Sequence, residues 1–231
     1  MTRVSAIMAA YDEADAVASV VAACVRELPA ESEVIVVDDG SRDATAARAE
    51  AAGARVLRFD CNRGKGVALL HGAVNARGDV LVFLDADGQD DPRDIAALLA
   101  ALQPGVALVI GSRFLGTIHR GALTPLHRVG NLALTLAVNV LFGTRLTDTQ
   151  AGFRCMPRDT FARCRPRARR YDIEVDMLLE VLSIGGHVVE VPVRRLHREA
   201  GRTKLGTVRD GARILARILR HRVNHAPRRG T

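Results

Sequence analysis

Val80-Leu81-Val82-Phe83-Leu84-Asp85-Ala86-Asp87-Gly88-Gln89 is the stretch on which the reading of this chain turns. A run of apolar residues bounded by polar ones describes a strand buried in a parallel sheet. Two carboxylates follow at once. In extended backbone, residues i and i+2 share a side, so Asp85 and Asp87 face one site together. Open α/β sheets bind ligands beyond the carboxyl ends of their strands, which is where this pair falls. Clustered carboxylates in a cleft need a cation, a proton or a basic partner. Hard oxygen ligands suit Mg²⁺ or Mn²⁺, and those ions suit phosphate-bearing substrates. Gly88 allows a sharp turn, Gln89 adds an oxygen and Pro92 can open the next helix. A solvated Asp-Gly turn would account for the same residues without chemistry. An EF-hand would not, because glycine stands at the fourth loop position instead of the sixth and Ala96 takes the place of the bidentate Glu.

Outward from this stretch the same grammar recurs. Apolar runs predict further strands over 4–9, 33–37, 55–59 and 108–110. Helices are expected after the first three, with Asp15 and Asp43 as caps, and a helix over 91–102. Strands alternating with helices of this length indicate βαβ units and a mostly parallel sheet. Tyr11 and Glu13, Asp38 and Asp39, Lys65, Asp85 and Asp87, and Ser112 and Arg113 all follow strand ends. Such ends converge on one edge. Any one of these groups could be turn chemistry; their recurrence at consecutive strand ends points to a shared cleft. Gly64-Lys65-Gly66 lacks the third glycine of a dinucleotide fingerprint and the Ser/Thr of a P-loop, so a nucleotide would be held by another arrangement.

Beyond Arg113 the pattern changes. Residues 114–124 are expected as a loop. An apolar helix follows over 129–142, shorter than the roughly 20 apolar residues of a membrane span. It is either a core helix or one lying on a bilayer surface. Residues 148–154 form a polar turn entering a short strand, 174–184 a helix, and 187–193 a last strand that Pro192 assigns to an edge. Residues 198–206 are expected to be mobile and carry Arg202 and Lys204. Over 207–223 an amphipathic helix repeats Val208, Ala212, Leu215, Leu219 and Val223 on one face, with Arg209, Arg213, Arg217 and Arg220 on another. It suits an anionic membrane surface or a solvated face on a packed helix. The tail beyond 224 is expected to be disordered.

The chain has 231 residues, 48% hydrophobic, enough for one sizeable domain. Net charge is +7, which permits nucleic acid, an anionic membrane or phosphorylated substrates as partners. Aromatics make up 3% with no Trp, too few for single-strand stacking platforms, and the strand-end acids would repel a nucleic-acid backbone. Cys24, Cys61, Cys155 and Cys164 show no metal spacing and read as reduced thiols in the cytoplasm. The first residues lack the layout of a signal peptide.

Together the motifs resemble inverting family 2 glycosyltransferases of the GT-A fold. Within them the dolichyl-phosphate mannose synthase branch and its bacterial polyprenyl-phosphate relatives are the most similar. The resemblance runs over 4–205. It rests on Tyr11-Asp12-Glu13, Asp38-Asp39-Gly40-Ser41, Asn62 with Gly64-Lys65-Gly66, Asp85-Ala86-Asp87-Gly88-Gln89, Gly111-Ser112-Arg113, Asp148-Thr149-Gln150-Ala151-Gly152-Phe153-Arg154, and the 201–205 segment. It implies an α/β GT-A fold, a Rossmann-like and mostly parallel sheet flanked by helices. The domain would cover 1–206, with a nucleotide-sugar half (1–113) and an acceptor half (114–206), followed by the basic helix and tail (207–231). Ala9, Tyr11, Glu13, Asp38 and Asp39 would hold the base and ribose of a sugar nucleotide, with Lys65 nearby. Asp85, Ala86 and Asp87 would flank the diphosphate, and Asp87 and Gln89 would bind Mg²⁺ or Mn²⁺. Arg113, Arg128, Arg202 and Lys204 would gather an acceptor phosphate. Ala9 and Asp12 stand where the family usually has Pro and Asn.

The implied activity is metal-dependent transfer of a hexose, from GDP-mannose or UDP-glucose, to a polyprenyl phosphate. The enzyme would sit at the cytoplasmic face of the membrane, held peripherally or by a small membrane-protein partner. The Arg and Lys of the acceptor half fit a phosphate acceptor better than a hydroxyl, which would need a base. The rivals are a soluble family 2 enzyme acting on a hydroxyl and a nucleotidyltransferase, which would release pyrophosphate. A nucleic-acid-binding protein is a third, disfavoured by the acids.

Overall fold

The structure, a computed structural model, describes residues 2–164, 166–198 and 207–224. Seven strands form one sheet in the order β3-β2-β1-β4-β6-β5-β7. The strands β1 (Val4–Ala10), β2 (Glu33–Asp38), β3 (Arg55–Arg58) and β4 (Val80–Phe83) pair in parallel. The helices between them are α1 (Ala14–Glu27), α2 (Thr45–Ala51) and α3 (Lys65–Asn75). A short 3₁₀ turn (Pro92–Asp94) leads into α4 (Ile95–Ala101) and then β5 (Val106–Ile118). The remaining elements are α5 (Pro125–Phe142), β6 (Arg154–Pro157), α6 (Arg158–Arg163), α7 (Ile173–Ser183), β7 (His187–Arg195) and α8 (Thr207–Asn224). β6 runs antiparallel between β4 and β5, and β7 is an edge strand parallel to β5, as its proline requires.

The pleat sorts the core into two layers. Ile7, Ile35, Leu81 and Phe83 point to one face of the sheet, against α3 and α7. Met8, Val36, Val82 and Leu84 point to the other, against α1 and α4. These strands are buried on both faces, which is why they read as continuous apolar runs. β1 pairs with β2 on one side and β4 on the other. The order therefore reverses there, and the cleft opens beyond the carboxyl ends of these strands.

Several boundaries differ from expectation. The loop expected over 114–124 begins as strand, because β5 resumes pairing with β7 through Thr117 and Ile118 after a register shift. Gly116 permits this close approach, since a Cβ there would lie 2.0 Å from the Val193 carbonyl oxygen. Asp15 lies within the first turn of α1 and does not cap it. Asp43 stands one residue before the α2 cap position. Its carboxylate accepts from the Thr45 amide at 3.0 Å and the Ala14 amide at 3.2 Å, tying the starts of two helices together. α5 begins before its apolar run because Thr124 accepts from the His127 amide and Pro125 supplies the first helical residue.

On α8 the structure distinguishes the two readings of its apolar stripe. The stripe of Leu215, Leu219 and Val223 points outward, 41–76% exposed, and Ile214, Ile218 and His221 are buried instead. Ile214 and Ile218 join the core beneath α8, and Arg217, meeting Asp172 at 2.6 Å and Asp176 at 2.8 Å, ties the adjoining flank to α7.

Candidate active site

A cavity of 540 Å³ opens at the convergence of strand ends, within the usual range for small-molecule sites. Each wall comes from a different element. The end of β1 supplies Ala9, Tyr11 and Glu13. Asp39 follows β2, Lys65 opens α3, and Asp85, Ala86, Asp87 and Gln89 follow β4. Arg113 projects from β5. These expected residues share one space. Two others do not line it. Asp38 is buried beneath the turn, accepting from the Ser41 amide at 2.8 Å and meeting Arg58 at 3.2 Å. Arg128 is exposed on α5 with its guanidinium 6.0 Å from the Phe114 ring centroid. A rotation of one residue along α5 explains the miss: His127 and Asn131, four apart on one face, point inward in its place. Arg202 and Lys204 lie outside the described residues.

The walls are built as ion pairs. Gly64 adopts φ 101°, and Gly66 packs so closely on Ala168 that a Cβ would lie 2.3 Å from its carbonyl oxygen. This seats the first turn of α3 and sets Lys65 Nζ 2.7 Å from Asp85 and 2.6 Å from Glu174. Arg154, buried beneath, donates to the carbonyl oxygens of Glu174 and Ala151. Burial lowers its pKa to about 10, and it stays a cation at neutral pH. Asp39 accepts from the Arg63 and Gly64 amides at 2.7 and 2.9 Å, clamping the loop before α3 to the end of β2; burial pushes its pKa up.

Asp85 and Asp87 are driven apart. Burial opposes ionisation of Asp85, but Lys65, then Arg195 and Arg113, outweigh it and hold the carboxyl below its ordinary value. Burial raises the pKa of Asp87, and the Asp85 charge raises it further. Two carboxylates sharing a site behave in this way.

Facing the acids are cations that sequence reasoning passed over. Arg195 meets Asp90 at 2.7 Å and the Gln89 side-chain oxygen at 2.9 Å. Arg198 reaches Asp87 at 3.2 Å and Glu13 at 2.5 Å. Arg195 ends β7 and Arg198 follows it, so the strand-end rule that found the acids would have found them. Arg113 grips Asp148 through two parallel bonds of 2.7 and 2.8 Å. Glu190 fixes that partner, accepting from the Thr147 and Asp148 amides at 2.7 and 2.8 Å.

A divalent cation fits part of this set. Asp87 offers hard oxygen with a surplus of negative charge around it, the condition a metal relieves. Gln89 turns its oxygen to Arg195 and its amide nitrogen toward the Ala122 carbonyl, so its expected place as a ligand is not what the present geometry offers. Among the described residues no three His, Cys, Asp or Glu side chains form a ready-made cage. A metal here would draw its other ligands from substrate phosphate and water.

Comparison with known proteins agrees with this geometry. The model of the family described as "Glycosyl transferase family 2" matches residues 5–164. "Glycosyltransferase AglJ" of Haloferax volcanii is 31% identical over 219 residues, 94% of this chain and 71% of that protein. An undecaprenyl-phosphate mannosyltransferase of Micrococcus luteus is 31% identical over 214 residues, 88% of this chain and 87% of that protein. Among solved structures, glucosyl-3-phosphoglycerate synthase from Mycobacterium tuberculosis superposes with a TM-score of 0.75 at 23% identity, over 99% of this chain and 82% of that one. The same synthase has been solved with Mg²⁺ and UDP. The chain therefore belongs to glycosyl transferase family 2, and it is a glycosyltransferase with the GT-A fold.

Proposed function

We propose that the enzyme transfers one hexosyl unit, with inversion, from a sugar nucleotide to a polyprenyl phosphate at a membrane surface, using Mg²⁺ or Mn²⁺. The observation that carries this reading is the mutual pairing of acids and arginines across one cavity, Arg198 with Asp87 at 3.2 Å and Arg195 with Asp90 at 2.7 Å. Phosphate-bearing substrates would take up the arginines, and Asp87 would then be the residue available to hold a divalent cation. Relatives support the acceptor. Besides the Micrococcus protein, they include a polyprenol monophosphomannose synthase of Mycolicibacterium smegmatis.

In this reading residues 1–113 form the donor half. Ala9, Tyr11, Glu13 and Asp39 receive the nucleoside, and Lys65 keeps Asp85 ionised beside the diphosphate. When bound, a divalent cation supplies the neutralisation of charge that the departing diphosphate needs; Asp87, with Asp85 beside it, is the residue fit to hold it. The acceptor half, 114–206, meets the second substrate. A lipid phosphate is already an anion and needs no general base. Its difficulty is approach to another phosphate, which Arg113, Arg195 and Arg198 relieve by charge-assisted hydrogen bonds and by positioning. Arg202 and Lys204 would add to them.

Exposed apolar faces support a membrane site. Leu126, Val129, Leu136 and Val140 on α5 are 62–73% exposed. No helix among the described residues is long and apolar enough to cross a membrane. In this reading the contact is peripheral, at the cytoplasmic face. The test is a donor screen: GDP-mannose or UDP-glucose, a polyprenyl phosphate in detergent, and Mg²⁺ or Mn²⁺, with products read by mass spectrometry. A hexosyl-phosphoryl lipid from one donor is expected. Metal-dependent donor binding without a lipid product, but with transfer to a small hydroxyl acceptor, would overturn the lipid assignment.

A further inference from the structure

Beside the catalytic cavity lies a second one of 350 Å³, lined by Arg167, Arg169, Arg170, Asp172, Arg213 and Arg217. Its arginines come from the segment before α7 and from one flank of α8. The backbone of that segment is fixed from within. Asp176 accepts from the Arg167 and Ala168 amides at 2.6 and 2.8 Å, and the Arg169 carbonyl accepts from the Gly66 amide at 3.1 Å. The polar backbone is thus spent on the fold, and Arg167, Arg169 and Arg170 are exposed.

The charges do not balance. Asp172 and Asp176 answer Arg217, and Asp210 answers Arg213 at 2.8 Å. Among the described residues no carboxylate answers Arg167, Arg169 or Arg170. Several guanidiniums around one cavity repel one another and raise the local concentration of anions. Guanidinium chemistry, planar and rich in donors, selects phosphate.

The surroundings decide which phosphate. On α8 the basic flank of Arg213, Arg217 and Arg220 lies between a buried stripe, Ile214 and Ile218, and an exposed apolar one, Leu215, Leu219 and Val223. α5 packs beside α8 and adds its own exposed apolar face. Soluble surfaces seldom leave so much apolar area open. A free phosphate would satisfy the arginines and leave that area uncovered. A phospholipid satisfies both, with apolar side chains at the acyl boundary and guanidiniums at the headgroups.

We infer that Arg167, Arg169 and Arg213 form a headgroup site for an anionic phospholipid, distinct from the sites for donor and acceptor, that selects the membrane surface on which the enzyme works. The inference rests on the reading of the chain as a membrane-surface transferase. Arg170 lines both cavities, so a docked headgroup lies one side chain from the reaction site and orients the cavity mouth toward the bilayer.

The experiment uses the full chain and two kinds of vesicle, phosphatidylcholine alone and phosphatidylcholine mixed with phosphatidylglycerol. Binding is read by co-sedimentation and turnover is read separately on a detergent-solubilised polyprenyl phosphate. The wild-type chain is expected to prefer the anionic vesicles. The double variant Arg167→Gln, Arg169→Gln should bind them about 30-fold more weakly, with turnover in detergent unchanged. Arg167→Lys, Arg169→Lys should restore part of the preference, the part that charge alone supplies. An undiminished preference in the Gln variant overturns the site. So does a parallel loss of turnover in detergent, which would assign these arginines to the acceptor. Failure of the wild-type chain to bind either vesicle, with transfer to a soluble acceptor intact, overturns the membrane reading itself and this inference with it.

Discussion

Lys65 Nζ lies 2.7 Å from Asp85 Oδ1, and the same ammonium sits 2.6 Å from Glu174. One cation therefore answers two carboxylates, half-buried Asp85 after β4 and buried Glu174 on α7. Both oxygens are already engaged, so Lys65 acts first as a structural counter-ion. Lys65→Met should cost about 2 kcal/mol of stability, less than a fully buried pair because the site is partly wet. Adding Glu174→Gln should return part of that loss by removing one uncompensated charge. Urea unfolding of the wild type and the two variants checks this. A fully stable Lys65→Met protein would show that the pair does not hold the cavity together.

Asp148 does not line the cavity, yet it fixes the Arg113 guanidinium through two parallel bonds. Asp148→Ala should let that guanidinium swing. A misplacement of this kind costs about 100-fold in catalytic efficiency. The loss should fall on acceptor KM, with donor affinity by calorimetry unchanged. Equal loss of donor affinity would mean that Arg113 serves the donor phosphates instead.

The sheet and the acidic wall were legible because both depend on local pattern. An apolar run marks a buried strand, and the residues after it mark the cleft, so Asp39, Lys65, Asp85, Asp87 and Arg113 could be brought together from spacing alone. What stayed hidden depends on packing. Nothing local separates Asp38 from Asp39, although one faces the turn and the next the cavity. Arg128 and His127 are neighbours in sequence, and only the rotation of α5 decides which points inward. Gly116 carries no signal of its own until Val193 is seen against it. On α8 the tidy four-residue stripe drew attention to the face that is exposed. The buried face carries Ile214 and Ile218, with Arg217 and its two acids on α7 beside it.

Glu33 begins β2 and ties three segments together. It accepts from the Ser5 hydroxyl at 2.8 Å, the Arg77 amide at 2.6 Å and Arg55 Nε at 3.0 Å. Burial opposes its charge, but these donors outweigh burial and hold its pKa below the ordinary value. A depressed carboxyl stabilises the fold above the unfolded pKa, about 4.3, and loses that contribution as pH falls through the lower folded value. Glu33→Gln should therefore be less stable than wild type by about 1 kcal/mol at pH 7, with the gap closing toward pH 3. Denaturant melts across that range test it. A gap that stays constant with pH would remove the charge from the explanation.

Arg198 occupies the position from which a metal ion would be drawn to Asp87. Its guanidinium touches that carboxylate at 3.2 Å and Glu13 on the other side. Without it, Asp87 keeps the repulsion of Asp85 and Asp90 and loses a nearby cation. A divalent ion no longer has to displace an internal competitor. Arg198→Ala should thus bind Mn²⁺ alone about tenfold more tightly than wild type, a change of about 1.4 kcal/mol, while transfer to the acceptor falls. The two readouts move in opposite directions, which a general loss of structure cannot mimic. Spectroscopic titration with Mn²⁺ in the absence of nucleotide gives the first, and single-turnover transfer gives the second. Weaker Mn²⁺ binding in Arg198→Ala would show that the arginine orders Asp87 for the metal instead of competing with it.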